Sequence, residues 1–180
     1  LAGIAAGLKT ENNKLGYVAA FPYAEVISGF TSFYLGAKSV NPDVTMEIQY
    51  TNAWNDPKKE SEVAQALIDS GCDVLSQHSD STAAATTAEK NGAWHVGYNA
   101  DTIAAAPKAS LISACIDWGI YLTEAVQAVI DGEEIPADWC QGLSEDGETD
   151  TIYLSPLNED IAAEGTQEAI DEAEEKIRSG

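Results

Sequence analysis

The sequence predicts an α/β fold built on a parallel sheet, and three observations carry that expectation. Short apolar runs alternate with amphipathic stretches from Lys14 to Asp101, the hydrophobic period switches between strand-like and helix-like from one segment to the next, and turn residues punctuate each change. Alternation of this kind winds right-handedly into parallel βαβ units, because only that hand packs a crossover helix back onto a twisted sheet. With 180 residues, 44% of them hydrophobic, the chain can bury one sizeable core, as one domain or two small lobes.

The elements follow in order. The opening "LAGIAAGLK" has no initiating Met and reads as the apolar tail of a helix, closed by the polar turn "TENNK". Such a start is expected of a piece of something longer, with any export signal upstream. A strand from Leu15 to Ala20 runs into the turn Phe21-Pro22-Tyr23. The helix after it places Val26, Ile27, Phe30, Phe33 and Tyr34 at helical spacing until Asn41-Pro42 stops it. "VTMEIQYT" alternates as a strand does. In "DPKKESEVAQALIDSG", Asp56 is the expected N-cap, Pro57 the first helical residue and Gly71 the C-cap, with an apolar face through Val63, Leu67 and Ile68.

"CDVLSQ" is a buried strand, "STAAATTAEKNG" a short helix ending at Asn91-Gly92, and "AWHVGYN" the fourth strand. Beyond Asp101 the alternation weakens. "SLISACI" is readable as a strand, "DWGIYLTEAVQAVIDG" as a helix ending at Gly132, and "TIYLS" as a strand. A last helix, acidic on its outer face, is expected over "EDIAAEGTQEAIDEAEEKIRSG".

Nine Lys and Arg stand against 30 Asp and Glu, a formal net charge of -21, so phosphate backbones and anionic membrane faces are repelled and nucleic acid is excluded as a partner. The acidity reads as solubility, in a salty or extracellular setting. Cys72, Cys115 and Cys140 match no metal spacing and read as buried small residues. No apolar run approaches the roughly 18 residues of a membrane span. His78 and His95 stand in no metal-binding or triad-like context and read as structural, and the acidic "SEDGETD" lacks the spacing of a calcium loop. With no nucleophile–base pair, no catalytic site, cofactor or metal is expected.

Ligands of open parallel sheets sit beyond the carboxyl ends of the strands. That rule selects four loops: Phe21-Pro22-Tyr23, Asn52 to Asp56, His78 to Ser81, and Tyr98 to Asp101. Aromatic rings and short polar side chains fill them, without a glycine-rich cradle or a Lys or Arg for phosphate, so the expected ligand is flat and uncharged. Trp54 lies among polar residues and suits stacking, as does Trp118 after the fifth apolar run. Asp80 and Asp101 stand where they can accept hydrogen bonds from hydroxyl or amino groups. The alternative for Asp80 is to cap the helix that follows.

Taken together, "KLGYVAAFPYAEVISGFTSFYLGAKSVNPDV", "TNAWNDPKKESEVAQALIDSGCDVLSQHSDS", "VGYNAD" and "DWGIYLTEAVQAVIDG" resemble the basic membrane protein (BMP) family of ABC-transporter substrate-binding lipoproteins, in order across almost the whole chain. The resemblance implies a type I periplasmic-binding-protein fold, in which two three-layer αβα lobes joined by crossovers close on a purine base or nucleoside. This chain would supply mainly the second lobe. Residues 1–13 would end a first-lobe helix and crossover, 14–112 form the second-lobe core, 113–150 cross back, and 151–180 return with a strand and helix. The resemblance places Phe21 and Trp54 against the purine and Asp80 and Asp101 near ribose or ring nitrogens. The nucleoside-binding branch has a lysine shortly before the aspartate matching Asp117; here Ala114 stands near that place and Trp118 follows, which implies a free base such as adenine.

The expectation is therefore a solute-binding component of an ABC importer that performs no chemistry. Phe21, Trp54 and Trp118 would stack on the ligand, and Asp80, Asn99 and Asp101 would orient it. Its partners would be the ligand and an ABC permease, with membrane contact only through an upstream lipid anchor on the outer face of the cell membrane or in the periplasm. A ligand-sensing module of a receptor or regulator is the alternative. Without a first lobe, the apolar faces of "LAGIAAGL" and of Ile120 to Ile130 are expected to pack together, to promote self-association, or to be poorly ordered.

Overall fold

A computed structural model describes all residues except 137, 146 and 148. The chain runs α1 (Ala2–Lys9), β1 (Lys14–Ala19), α2 (Ala24–Val40), β2 (Thr45–Tyr50), α3 (Pro57–Asp69), β3 (Val74–Gln77), α4 (Ala83–Asn91), β4 (Trp94–Asn99), β5 (Ser110–Ile116), α5 (Trp118–Asp131), β6 (Ile152–Leu154) and α6 (Thr166–Ser179). The six strands form one sheet in the order β2-β1-β3-β4-β5-β6. β1 to β5 are parallel and β6 pairs antiparallel with β5.

Helices cover both faces, giving the three-layer αβα arrangement. On one face α1, α2 and α6 bury Ile4, Val26, Phe33 and Ile170 against Leu15, Tyr17, Val96 and Ile112. On the other, α3 and α4 bury Ala64, Leu67, Ala84 and Ala88 against Val18 and Leu75. The central strand β3 is buried at every position, its polar Ser76 and Gln77 included, whereas the edge strand β2 has no buried position and alternates apolar and polar residues along its length.

The termini of the helices follow the sequence signals. The Asp56 carboxylate accepts from the Lys59 N–H at 3.2 Å, and Glu60 accepts in return from the Asp56 N–H at 3.0 Å, so α3 starts with a reciprocal cap. It ends at Ser70, with Gly71 just beyond at φ +98°, a conformation only glycine adopts cheaply. α6 is shorter than expected. It starts at Thr166 because Gly165 adopts φ +79° and because Asn158 donates to the Pro107 and Ser110 carbonyls, which ties the segment before it into turns.

Three further expectations need correction. The opening helix does not expose an apolar face: Gly3 to Gly7 are buried, and α1 packs on α2 and on the sheet. Nor do α1 and the Ile120–Ile130 region pack together, for α5 has no buried residue. Cys140 is exposed, while Cys72 and Cys115 are buried, and all three are free thiols. β5 runs through residue 113 to Ile116, parallel to β4 and antiparallel to β6. The "SEDGETD" loop lies partly outside the described residues; within it Asp150 is paired with Arg178 of α6, which holds its carboxyl well below the usual range. Among the described residues no helix is long and apolar enough to cross a membrane.

Candidate functional site

The strand order reverses at β1. From there the chain goes out to β2 on one side, then returns past β1 to β3 on the other. The loops after β1 and β3 leave toward opposite faces of the sheet, since α2 lies on one face and α4 on the other, which is the arrangement that leaves a crevice at the carboxyl edge of open parallel sheets.

Three rings meet at that crevice. Phe21 and Tyr23 stack at 5.1 Å between centroids and 15° between planes, and Trp54, from the loop after β2, tilts against both at 5.4 and 6.1 Å. Tyr23 is 50% exposed and Trp54 38%, which leaves apolar faces open to a ligand. The Asp80 N–H donates to the Trp54 carbonyl at 2.7 Å, so the loops after β2 and β3 are joined backbone to backbone. Asp80 itself is exposed and does not cap α4; Thr82 holds that position.

The second group of expected residues lies on the loops after β4 and β5. Asn99 sits at φ +67° and accepts from the Trp118 indole N–H at 2.9 Å. Trp118 opens α5, whose first turn is capped by Asp117, and is 54% exposed. The Asp101 carboxylate accepts from the Ile103 N–H at 2.9 Å and so closes a local turn. Thus Phe21, Trp54 and Asp80 come together, as do Asn99 and Trp118, while Asp101, on the same loop as Asn99, turns its carboxylate to the Ile103 N–H. Between the groups His78, at the end of β3, packs its ring on Tyr98 of β4 at 4.0 Å and faces the Tyr17 hydroxyl through Nδ1 at 3.3 Å. Burial lowers the pKa of His78 and raises that of Tyr98 to about 12. Gly29 is required beneath this contact, since a Cβ there would lie 2.6 Å from the imidazole.

Sequence reasoning missed Tyr23, Glu60 and Gln77 and treated His95 as inert structure. Tyr23 was visible as the third residue of an aromatic turn. Glu60 is fully buried within a charged "KKESE" run, where nothing local betrays burial; it accepts from the Ser81 hydroxyl at 2.5 Å. A groove of about 850 Å³ runs along the face shared by α1, α2 and α6 and reaches Tyr17, His78 and Tyr98, although none of the six expected site residues lines it.

A parallel sheet covered on both faces, with aromatic rings at the carboxyl edge near its switch point, defines the class: a three-layer α/β fold. Residues 1–179 match the Bmp family, described as ABC transporter substrate-binding protein PnrA-like, and the chain belongs to that family. It is 44% identical over 140 residues to TsgA13 of Haloferax volcanii, whose name provisionally assigns it glucose binding for an ABC transporter; the match covers 77% of this chain and 36% of that one. It is 34% identical over 178 residues to a purine-binding protein of Brucella abortus, covering 99% of this chain and 49% of that one. The chain therefore spans half or less of each relative's length. Among solved structures, a Bacillus halodurans protein described as a transcriptional activator of the comK gene shares the fold at a TM-score of 0.81 and 21% identity, over 98% of this chain and 60% of that one.

Proposed function

We propose that this chain is the ligand-gripping lobe of an ABC importer's solute-binding protein and that it holds a purine, with adenine favoured. The observation that carries the reading is the Phe21, Tyr23 and Trp54 cluster at the switch crevice, where flat half-exposed faces adjoin the polar Asp80 loop. Family membership and the purine-binding relative support it. Asn99, Asp101 and Trp118 would line the far side of the cleft.

In the complete protein a partner lobe would close over this edge, residues 113–150 would cross to it with α5, and the permease would read closure. The ligand drives that closure only through contacts that improve in the closed state. No chemistry is performed on the ligand. The protein would work outside the cell membrane or in the periplasm, held by a lipid anchor. A hexose is the second reading, favoured by the relative named for glucose binding, since sugars also stack on aromatic faces.

Calorimetry with adenine, adenosine and glucose decides between these readings. Purine heat with none from glucose is expected, and the reverse result replaces the purine. Trp54→Ala should weaken the bound ligand by roughly 1–3 kcal/mol while leaving the melting temperature nearly unchanged, because the ring is exposed and little of the core rests on it. A fall in melting temperature with unchanged affinity would return Trp54 to a structural role.

A further inference from the structure

We propose that Gln77 and His95 are positioning residues for the crevice, fixing the Asp80 loop and with it the Trp54 loop from inside the sheet; this rests on the ligand reading of that crevice. Neither side chain reaches the surface: Gln77 is 2% exposed and His95 fully buried. The Gln77 amide nitrogen donates to the Ser79 carbonyl at 2.6 Å and the Ser81 carbonyl at 2.7 Å, the two carbonyls that flank Asp80.

Both amide protons are thereby used, so the Gln77 Oε1 is an acceptor. The His95 Nε2, 3.0 Å from it, must carry the proton. That assignment leaves the His95 Nδ1 unprotonated toward the Thr102 hydroxyl at 3.5 Å, which in turn lies 3.0 Å from the Ser110 hydroxyl. Buried amides and imidazoles are costly unless their bonds are made, and here the two Gln77 donations fix the direction of the bond from His95.

The loop is gripped from the other side as well. The Asp80 N–H is held by the Trp54 carbonyl, and the Ser81 hydroxyl by Glu60, which also accepts from the Asp56 N–H at the end of the Trp54 loop. Backbone groups at three consecutive residues, 79 to 81, are therefore fixed while the Asp80 side chain remains exposed. An apolar pair at positions 77 and 95 would fill the same space without gripping either carbonyl.

The test uses His95→Leu, which removes the donor, and His95→Gln, which keeps one. Affinity is measured for whichever of adenine, adenosine and glucose binds the unaltered protein, in the native and Asp80→Ala backgrounds, together with hydrogen exchange at the Asp80 amide. About a tenfold loss of affinity is expected for His95→Leu in the native background, with little loss for His95→Gln and little further loss on top of Asp80→Ala. Exchange at the Asp80 amide should accelerate in His95→Leu alone. Equal losses for Leu and Gln, or the same loss in both backgrounds, overturn the proposal. Should none of the three ligands bind, the ligand reading falls and exchange decides the positioning role, which unchanged protection at Asp80 would refute. Gln77→Met, which removes both donors without burying a charge, gives the same comparison if His95→Leu does not fold.

Discussion

α1 and α5 carry the same kind of apolar sequence and meet opposite environments. α1 buries Gly3, Ile4, Ala5, Ala6 and Gly7, and Lys9 at its end lies 3.9 Å over the Trp94 ring. α5 buries nothing, and Leu122, Val126, Val129 and Ile130 stand 55 to 71% exposed. The difference is one of size as much as of hydrophobicity. Two glycines four residues apart let α1 approach the backbone of α2 so closely that a Cβ at Gly3 would lie 1.9 Å from the Phe33 carbonyl oxygen, and one at Gly7 2.6 Å from that of Ala37. α5 offers branched side chains along its stripe and is tied at its margins, through Trp118 to Asn99 and through Glu124 to Trp139. Hydrophobicity says that a helix needs a partner; the pattern of small residues says that α1's partner is a backbone, already in this lobe.

The largest effect is expected where that approach is blocked. Gly3→Leu would force α1 off α2 and open the core around Ile4 and Phe33, at a cost of about 3 kcal/mol, the upper end for overpacking. Urea unfolding measures it. A loss below about 1 kcal/mol would mean that α1 can shift without penalty, and the contrast with α5 would be one of degree.

A second effect tests the packing of the opposite layer. Burial depresses the His95 pKa from 6.5 to about 3, so between those values the unfolded chain takes up a proton that the folded chain refuses. Stability from this group is complete above about pH 6.5 and is lost as pH falls, by about 2 kcal/mol at pH 5. The acidic surface titrates too, so the measurement is the difference between the pH profiles of the unaltered protein and His95→Gln. Parallel profiles would show that His95 is reached by water.

The same contrast separates what could be read in the sequence from what could not. All six strands and the ends of α3, α4 and α5 were legible in the apolar runs, in Asp56 and Pro57, and in Gly71, Gly92 and Gly132, because those signals act within a few residues. The carboxyl-edge rule brought Phe21, Trp54 and Asp80 to neighbouring loops. What stayed hidden depends on contacts between residues far apart in sequence: Gln77 with His95, Ser81 with Glu60, Trp118 with Asn99. "GIAAG" looked like a face awaiting another lobe for the same reason, since only the fold shows Phe33 and Ala37 lying beneath it.

The smallest expected effect on stability belongs to α5 itself. Replacing Val126, Val129 and Ile130 together by Gln removes three exposed branched side chains and substitutes a residue that favours helix slightly more. Because no core contact is lost, the change in unfolding free energy should stay within about 0.5 kcal/mol, although three large residues have been altered. Self-association should fall, because an exposed apolar stripe of this length is the surface most ready to be buried against a second copy or a partner lobe. Sedimentation velocity across a concentration series reads the second effect and urea unfolding the first. A loss of more than about 1 kcal/mol in dilute, monomeric protein would show that α5 folds back onto its own lobe in solution, with the groove between α2 and α6 as the available apolar surface. In that case α5 would have found a partner as α1 did, without the glycines that make such contact close.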